Sequence, residues 1–220
     1  MPKPAAQTGD PPSEERRPDT RARVLKVAAR HFAEHGFAGT SLRAIQREVK
    51  VNPATVHYYF GTKEALYQEV ISRFLDRIQT ERLARLADIP ANLTGRERLE
   101  RLLHAYLAPH LELATTPDGY DYARILASVQ VSVWDAGTEL FDAAVRPVRK
   151  RYVDALHPLF PEVSRRRIYE LLRMAVAHMA IAPIRLGERS LDPLSMSKAI
   201  GDTVAYAAAG FERLCGPIAP

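Results

Sequence analysis

Apolar residues recur at intervals of three and four along most of the chain, which is the period of amphipathic helices rather than of strands. The pattern starts near residue 20 and continues close to the C-terminus, with Gly and Pro mostly at intervals that would end helices. We therefore predict an all-α protein of about nine helices. Residues 1–19 contain several prolines and almost no apolar side chain larger than Ala, so we predict a disordered tail there.

The first two predicted helices are separated by a glycine. One helix is expected over about residues 20–35, and Gly36 allows the left-handed backbone that ends it. Thr40 or Ser41 then caps a second helix, because both side chains can accept a hydrogen bond from a free N–H group of the first turn.

A third helix follows almost at once and is very short. Asn52 is its predicted cap and Pro53 its first residue, where a missing N–H costs nothing. Gly61 ends it after about two turns, and Thr62 caps a fourth helix that starts at Lys63. Two short helices joined by a tight turn predict a helix-turn-helix, whose second helix enters the major groove of DNA.

Adjacent aromatic residues on this third helix have to face different directions. Val56 and Phe60 lie four residues apart and are predicted to pack inward. Three side chains then point toward solvent or a partner: Thr55, His57 and Tyr58. Tyr58 and Tyr59 have an alternative role as partly buried scaffold rings.

Charge is concentrated on the same region. Residues 20–67 contain eight basic and three acidic side chains, whereas the whole chain carries a net charge of +5, so the remainder is near neutral. An excess of positive charge on the predicted helix-turn-helix suits contact with DNA phosphates.

Composition excludes several classes of protein. With 46% hydrophobic residues the chain can form a substantial core, and its single cysteine, Cys215, leaves no intrachain disulfide and no Cys-rich metal site. We expect a soluble cytoplasmic protein, since neither a signal peptide nor a membrane span of about 18 apolar residues is found. No metal ligand set, cofactor or enzyme motif is predicted. An enzyme that uses the C-terminal helices is the remote alternative.

Two runs, AARHFAEHGFAGTSLRAI and VNPATVHYYFGTKEALYQEVI, together resemble the N-terminal domain of the TetR family of bacterial transcriptional regulators. The resemblance implies a helix-turn-helix DNA-binding domain over residues 20–66 and a larger helical domain over residues 67–220. By resemblance, the larger domain binds a small-molecule inducer and forms a homodimer.

The same resemblance implies a set of DNA contacts. Phosphates would be held by Thr40, Ser41, Tyr58 and Lys63. Base edges would be read by Arg43, Thr55 and His57. The full predicted set is Thr40, Ser41, Arg43, Lys50, Thr55, His57, Tyr58 and Lys63. Two of them depart from the family pattern, because Lys50 stands where a turn glycine is usual and His57 where Tyr is common.

The larger domain is expected to contain a ligand cavity among its middle helices. The predicted lining is Tyr106, His110, Tyr122, Arg124, Trp134, His178 and Met179, each of which has an alternative role as an ordinary core or surface residue. A cavity of several hundred Å³ is expected under ligand control, and a fully packed domain would count against it.

The last two helices carry an apolar, small-residue stripe. The family resemblance implies that it forms the dimer interface, although it could instead pack inside one subunit. The predicted interface residues are Leu171, Leu172, Ala175, Ile200, Val204, Ala208 and Phe211.

We therefore predict a repressor that binds a palindromic, double-stranded DNA operator as a homodimer. A small hydrophobic inducer, of lipid or acyl type by a weak resemblance, would release it. The alternative is a DNA-binding regulator or architectural protein without an inducer.

Overall fold

Nine α-helices and no strand make up the residues that the structure, a computed structural model, describes, namely 17–131, 138–187 and 192–219. This confirms the predicted all-α class. A 3₁₀ turn, His157–Leu159, follows the seventh helix. The helices are α1 Arg17–Gly39, α2 Leu42–Val49, α3 Pro53–Phe60, α4 Lys63–Ala87, α5 Gly95–Leu113, α6 Pro117–Val131, α7 Thr138–Leu156, α8 Arg165–Leu186 and α9 Pro193–Cys215.

Local sequence explains the short helices of the N-terminal region. Gly36 breaks α1 with a φ of 66° and a ψ of 178°, a backbone conformation that L side chains rarely adopt. Asn52 caps α3 by accepting a hydrogen bond from the backbone N–H of Ala54 at 2.9 Å. Thr62 caps α4 in the same way, through the N–H of Ala65 at 3.1 Å. The predicted caps of α3 and α4 are thus confirmed, whereas α1 begins at Arg17 rather than near residue 20.

Two hydrophobic clusters hold the fold together. The first contains the inward faces of α1, α2, α3 and the N-terminal half of α4, and it continues into residues of α6 and α7. The second contains α5, the C-terminal half of α7, α8 and α9. The predicted domain boundary at residue 66 lies inside the continuous helix α4. Because residues of α6 belong to the first cluster, the N-terminal helices share one core with α6.

Prolines occur inside three C-terminal helices without ending them. Pro109 lies within α5, Pro147 within α7 and Pro183 within α8. A proline donates no backbone hydrogen bond, so each of these helices lacks one bond to the carbonyl four residues earlier.

The predicted dimer residues are buried inside the subunit. All seven, Leu171, Leu172, Ala175, Ile200, Val204, Ala208 and Phe211, have relative exposures of at most 8% in the single chain. Their stripe packs α8 and α9 onto α5 and onto each other. Leu171, Ala175 and Phe211 also line the base of a surface groove between α8 and α9. In the single chain these side chains thus pack inward, as the alternative expects, and their place in a dimer interface stays a prediction.

Within the described ranges, we find no helix whose length and hydropathy together would suit a membrane span.

Candidate functional site

The rings of α3 divide between the core and the surface, as the helical spacing predicts. Val56 and Phe60 are 1% and 7% exposed and belong to the first cluster. Tyr58 is 71% exposed, and His57 is exposed beside it. Tyr59 is half-buried against the core, with its ring 5.4 Å from that of Tyr58. The helix therefore presents one imidazole and one phenol to solvent.

The hydrogen bond of His57 determines which ring nitrogen is available. Its Nδ1 lies 2.8 Å from the carbonyl oxygen of Gly61. A carbonyl oxygen can only accept, so Nδ1 carries the hydrogen and donates. In the neutral ring Nε2 is then an unprotonated acceptor. Such an acceptor can pair with an amino group of adenine or cytosine in the major groove.

Five of the eight cations in residues 20–67 are used inside the protein. Salt bridges link three of them to acidic partners, as Arg21 to Glu69, Lys26 to Asp118 and Arg30 to Glu48. Arg23 donates from Nη2 to the carbonyl oxygen of Val49 at 2.9 Å, which satisfies the C-terminal end of α2. Lys63 is the fifth. These side chains hold helices together and contribute little free charge.

The remaining three cations, Arg43, Arg47 and Lys50, make no ion pair or side-chain hydrogen bond within the described part of the chain. All three are exposed. They line one open groove between α2 and the start of α3, and no acidic residue lines it with them. The other lining residues are Ser41, Gln46, Val51 and Pro53. Among the cations of residues 20–67, those without a partner thus all lie on the surface beside α3.

Lys50 itself adopts the left-handed conformation, with φ 58° and ψ 47°. It is the one non-glycine residue with a positive φ among those the structure describes. Its backbone N–H bonds to the carbonyl of Gln46, so the turn is well formed despite the strain. Ser41 occupies the N-cap position of α2 without using its hydroxyl as a cap, which leaves that group exposed in the groove.

Two predicted DNA contacts, Thr40 and Lys63, make hydrogen bonds within the subunit. Thr40 is 4% exposed, and its hydroxyl lies 2.7 Å from the carbonyl oxygen of Gly36, to which it donates. Lys63 directs its Nζ to the carbonyl oxygens of Phe37 at 2.9 Å and Thr40 at 3.2 Å. The same Nζ lies 4.4 Å from the centre of the Phe37 ring. The structure thus buries the Thr40 hydroxyl and gives the Nζ of half-buried Lys63 two backbone acceptors.

Of the other predicted contacts, Ser41, Arg43, Lys50, His57 and Tyr58 are exposed and Thr55 is half-buried. Arg47 was missed. Its signal was present in the sequence, because Arg43 and Arg47 stand four residues apart and share one face of a helix.

A second candidate site lies among the middle helices. His110, Tyr122 and Met179, three of the predicted ligand residues, line one enclosed space together with Arg82 and Arg149. Its apolar wall is formed by Leu75, Ile78, Leu126, Phe141 and Val176. The space measures only about 10 Å³, far below the several hundred expected for a ligand cavity.

Buried polar atoms without partners surround this space. Both ring nitrogens of His110 and the hydroxyl of Tyr122 are buried and make no hydrogen bond within the described residues. Both amide atoms of Gln79, on the adjacent α4, are in the same condition. Burial, with a smaller effect of the nearby Arg82 charge, lowers the pKa of His110 to about 3, so the ring is neutral. Burial raises the pKa of Tyr122, which therefore keeps its proton.

Two arginines are buried beside these atoms. Arg82 is 4% exposed and Arg149 2%. Arg82 donates from Nε to the carbonyl of Tyr106 at 2.7 Å, and its guanidinium lies 4.0 Å from the centre of that ring. Arg149 donates from Nε to the Tyr106 hydroxyl at 3.1 Å and from Nη1 to the Tyr169 hydroxyl at 2.9 Å. Neither forms an ion pair with any carboxylate of the described ranges.

The other predicted ligand residues are dispersed. Tyr106 supports the two arginines from behind, and Arg124 is half-buried outside the lining of the space. His178 is exposed on the outer face of α8, where its ring stacks on Tyr206 at 4.8 Å. Trp134 lies outside the described residues.

Arg82 and Arg149 were missed, although the helical pattern contains a signal for them. Arg82 continues the apolar series of α4 that includes Phe74 and Ile78, and Arg149 stands between Val145 and Val153 on α7 at the same spacing. A charged residue at the centre of an apolar stripe is rare unless it has a specific partner.

Two family models match the sequence of this chain, one in the N-terminal region and one in the C-terminal region. Residues 24–70 match the family described as "Bacterial regulatory proteins, tetR family", and residues 104–210 match "Tetracyclin repressor-like, C-terminal domain". The HTH-type transcriptional regulator UidR of Escherichia coli K12 is 38% identical over 58 residues, which are 26% of this chain and 30% of that protein. The HTH-type transcriptional repressor NicS of Pseudomonas putida is 38% identical over 52 residues, 24% of each chain.

These sequence matches therefore span less than a third of each relative. The structural likeness is more extensive. A TetR-family regulator from Bordetella parapertussis superposes with a TM-score of 0.66 and 20% identity, over 85% of this chain and 93% of the other. At that identity the likeness shows a shared fold.

Proposed function

The chain belongs to the TetR family of bacterial regulatory proteins, and on that basis we propose that it is a ligand-responsive repressor that binds a palindromic operator as a homodimer. The observation that carries the proposal is the distribution of charge. Arg43, Arg47 and Lys50 lie free around one groove, next to the exposed His57 and Tyr58 of α3. Free cations neutralise phosphates, whereas the ring tips of a helix in the major groove contact base edges.

Each helix-turn-helix reads only a few base pairs, so two copies are required for a specific site. The exposed face of α8 and α9 suits a second copy of the chain. Met174, Tyr206 and Leu214 are 61%, 66% and 50% exposed there, which is unusual for large apolar side chains that lie close together. Gly210 lines the same surface, and a Cβ at that position would meet no atom within 4 Å.

Ligand control is supported by the shared core. Tyr122 on α6 lines the enclosed space and also belongs to the cluster that contains α1 and α2. Lys26 on α1 and Asp118 on α6 form a salt bridge at 3.2 Å. A ligand that moved α6 would thus move the helices that support α3. For such a ligand to release DNA, it must bind one arrangement more tightly than the other. A small hydrophobic inducer of lipid or acyl type agrees with the apolar wall.

A DNA-binding regulator without a ligand is the second candidate, and the packing of the middle helices favours it. The enclosed space of about 10 Å³ holds no more than one water molecule. The unpaired buried polar atoms argue in the opposite direction, because fully packed interiors normally satisfy such groups.

Selection of genomic fragments by the purified full chain tests the DNA-binding proposal. A recovered palindrome is the expected result, and His57→Ala should change the preference at one position of each half-site by about 1–3 kcal/mol. Arg47→Ala should weaken binding to all sequences alike and lower the salt slope by about 0.9. Arg101→Ala, at an exposed position of α5, serves as the control. Binding without any sequence preference would disprove the proposal.

A further inference from the structure

The space between the middle helices combines two kinds of unsatisfied group. Arg82 and Arg149 bring two positive charges into the core, and both are held by Tyr106 rather than by an acid. Removing a charge from water is costly, and a buried charge is ordinarily paired with an opposite one. Two like charges lie close to one tyrosine, and no carboxylate of the described residues forms an ion pair with either of them. This part of the interior is therefore strongly electropositive.

The neutral groups beside them are donors without acceptors. The hydroxyl of Tyr122 and the one N–H of the neutral His110 ring are buried and unbonded, and both residues line the same space. The amide of Gln79 lies on the same helix as Arg82, also unbonded. An oxygen-rich anion in the space would accept hydrogen bonds from the Tyr122 hydroxyl and the His110 N–H and would neutralise the guanidinium charge at once.

We propose that this space is the effector site and that its ligand is an apolar carboxylic acid, whose carboxylate binds between Arg82 and Arg149. The planar guanidinium matches a carboxylate with two parallel hydrogen bonds. The apolar body would lie against the wall formed by Leu126, Phe141 and Met179. This inference rests on the proposed function only in its claim that the acid regulates DNA binding.

The space must enlarge to admit such a ligand, and three of its helices contain a feature that permits this. Pro109 precedes His110 on α5, Pro147 lies two residues before Arg149 on α7, and Pro183 removes a hydrogen bond to the carbonyl of Met179 on α8. Each helix is thus weakened beside a lining residue.

Matched probes test the charge of the ligand on the wild-type full chain. Octanoate, decanoate and 3-phenylpropanoate are each compared with their primary amide, and octyl phosphate is added as a different anion. Binding is measured by calorimetry and by the shift in melting temperature. We expect the best acid to bind about 10- to 100-fold more tightly than its amide, as the loss of a charge-assisted hydrogen bond predicts. Equal binding of acid and amide, binding of octyl phosphate alone, or no binding by any acid would each overturn the proposal.

Two variants locate the site. Arg149→Met should reduce the affinity for the best acid at least about tenfold, and the ligand-free protein should be as stable as the wild type or more so, because an unpaired buried charge is removed. Arg151→Met, at an exposed position of the same helix, should change neither. Unchanged acid binding in Arg149→Met would overturn the assignment. Tyr122→Phe, which removes only the unbonded hydroxyl, should weaken the acid while keeping the fold.

Release from DNA is a separate measurement. The best acid is added to the protein bound to its selected operator. Acid binding without release would retain the site but contradict regulation through it, whereas the absence of any selected operator would contradict the proposed function alone.

Discussion

Single residues of this protein depart from ordinary preferences at both candidate sites. Lys50 adopts a backbone conformation that favours glycine, and it does so beside the other free cations, Arg43 and Arg47. Arg82, Arg149 and His110 are polar groups buried in the core. Residues that are unfavourable for folding are retained where a function needs their chemistry, so strain and unpaired polarity point to the same regions as charge does.

The strain at Lys50 predicts opposite effects on stability and on DNA binding. Lys50→Gly should raise the free energy of unfolding by about 1 kcal/mol, because the left-handed conformation no longer opposes a side chain. The same change should weaken DNA binding at all sequences and lower the salt slope by about 0.9. Denaturant unfolding and fluorescence anisotropy measure the two effects. Lys50→Arg, which keeps both charge and strain, is the control; loss of affinity in that variant as well would point to a specific lysine contact.

Burial of neutral His110 predicts a loss of stability in acid. Its folded pKa of about 3 lies below the usual value of 6.5, so the unfolded chain binds the extra proton first. Stability should therefore fall as the pH drops from about 6.5 toward 3, by up to about 1.4 kcal/mol per unit. His110→Leu removes this contribution. The free energy of unfolding of the variant should therefore fall less than that of the wild type as the pH drops over that range. Parallel curves for variant and wild type would show that His110 does not remain neutral.

At the level of elements, α4 connects the two regions of the molecule. Its first turn is tied to the α1–α2 connection through Lys63, and its middle packs α1. Its C-terminal half carries Arg82 to the enclosed space. Helix α6 makes a second connection through Tyr122 and Asp118. Because both helices are continuous across these contacts, a shift at one end is carried to the other.

The role of Lys63 predicts a defect in folding rather than in phosphate binding alone. Lys63→Met removes the donor to the carbonyls of Phe37 and Thr40, and it should lower the free energy of unfolding by about 1.5–3 kcal/mol, the usual contribution of a hydrogen bond to a charged group. Thermal or denaturant unfolding measures it. Arg47→Ala is the matched comparison, since it should leave stability unchanged and weaken DNA binding. Normal stability of Lys63→Met would show that the two hydrogen bonds of Lys63 to backbone carbonyls contribute little to folding.

For the whole molecule, the proposed homodimer needs a surface that a second copy could cover. The stripe of small and apolar residues on α8 and α9 is used to fill the core of one subunit. What remains outside is a different set of side chains, Met174, His178, Tyr206 and Leu214, that no other described element covers.

Assembly is tested by placing a charge on each face of α9. Tyr206→Glu should give a well-folded monomer with weak operator affinity, because a carboxylate on an apolar interface is costly and a monomer reads only half of the site. Phe211→Glu, directed into the core, should instead destabilise the subunit by several kcal/mol. Light scattering with size exclusion and thermal unfolding distinguish the two. A stable dimer of Tyr206→Glu would place the interface elsewhere.

Local patterns in the sequence were sufficient for the helices, the caps of α3 and α4 and the helix-turn-helix, whereas the predicted side-chain cap of α2 is not formed. Helical period, Asn52, Pro53 and Thr62 act over a few residues, so they need no tertiary information. The same local reasoning places Val56 and Phe60 inward and His57 and Tyr58 outward. Residues four apart share one face of a helix, and their immediate neighbours lie on other faces.

Tertiary packing decided which of the candidate side chains are free. Sequence shows that Arg23, Arg47 and Lys63 are cations, but only the folded chain brings Val49 and Phe37 within reach of two of them and leaves the third exposed. The sequence of the apolar stripe on α9 does not show whether the stripe packs on a helix of the same subunit or on one of a second subunit. Arg82 and Arg149 lie far apart in sequence and become one electropositive site only when α4 and α7 pack together, because long-range proximity is a property of the fold and not of any local segment.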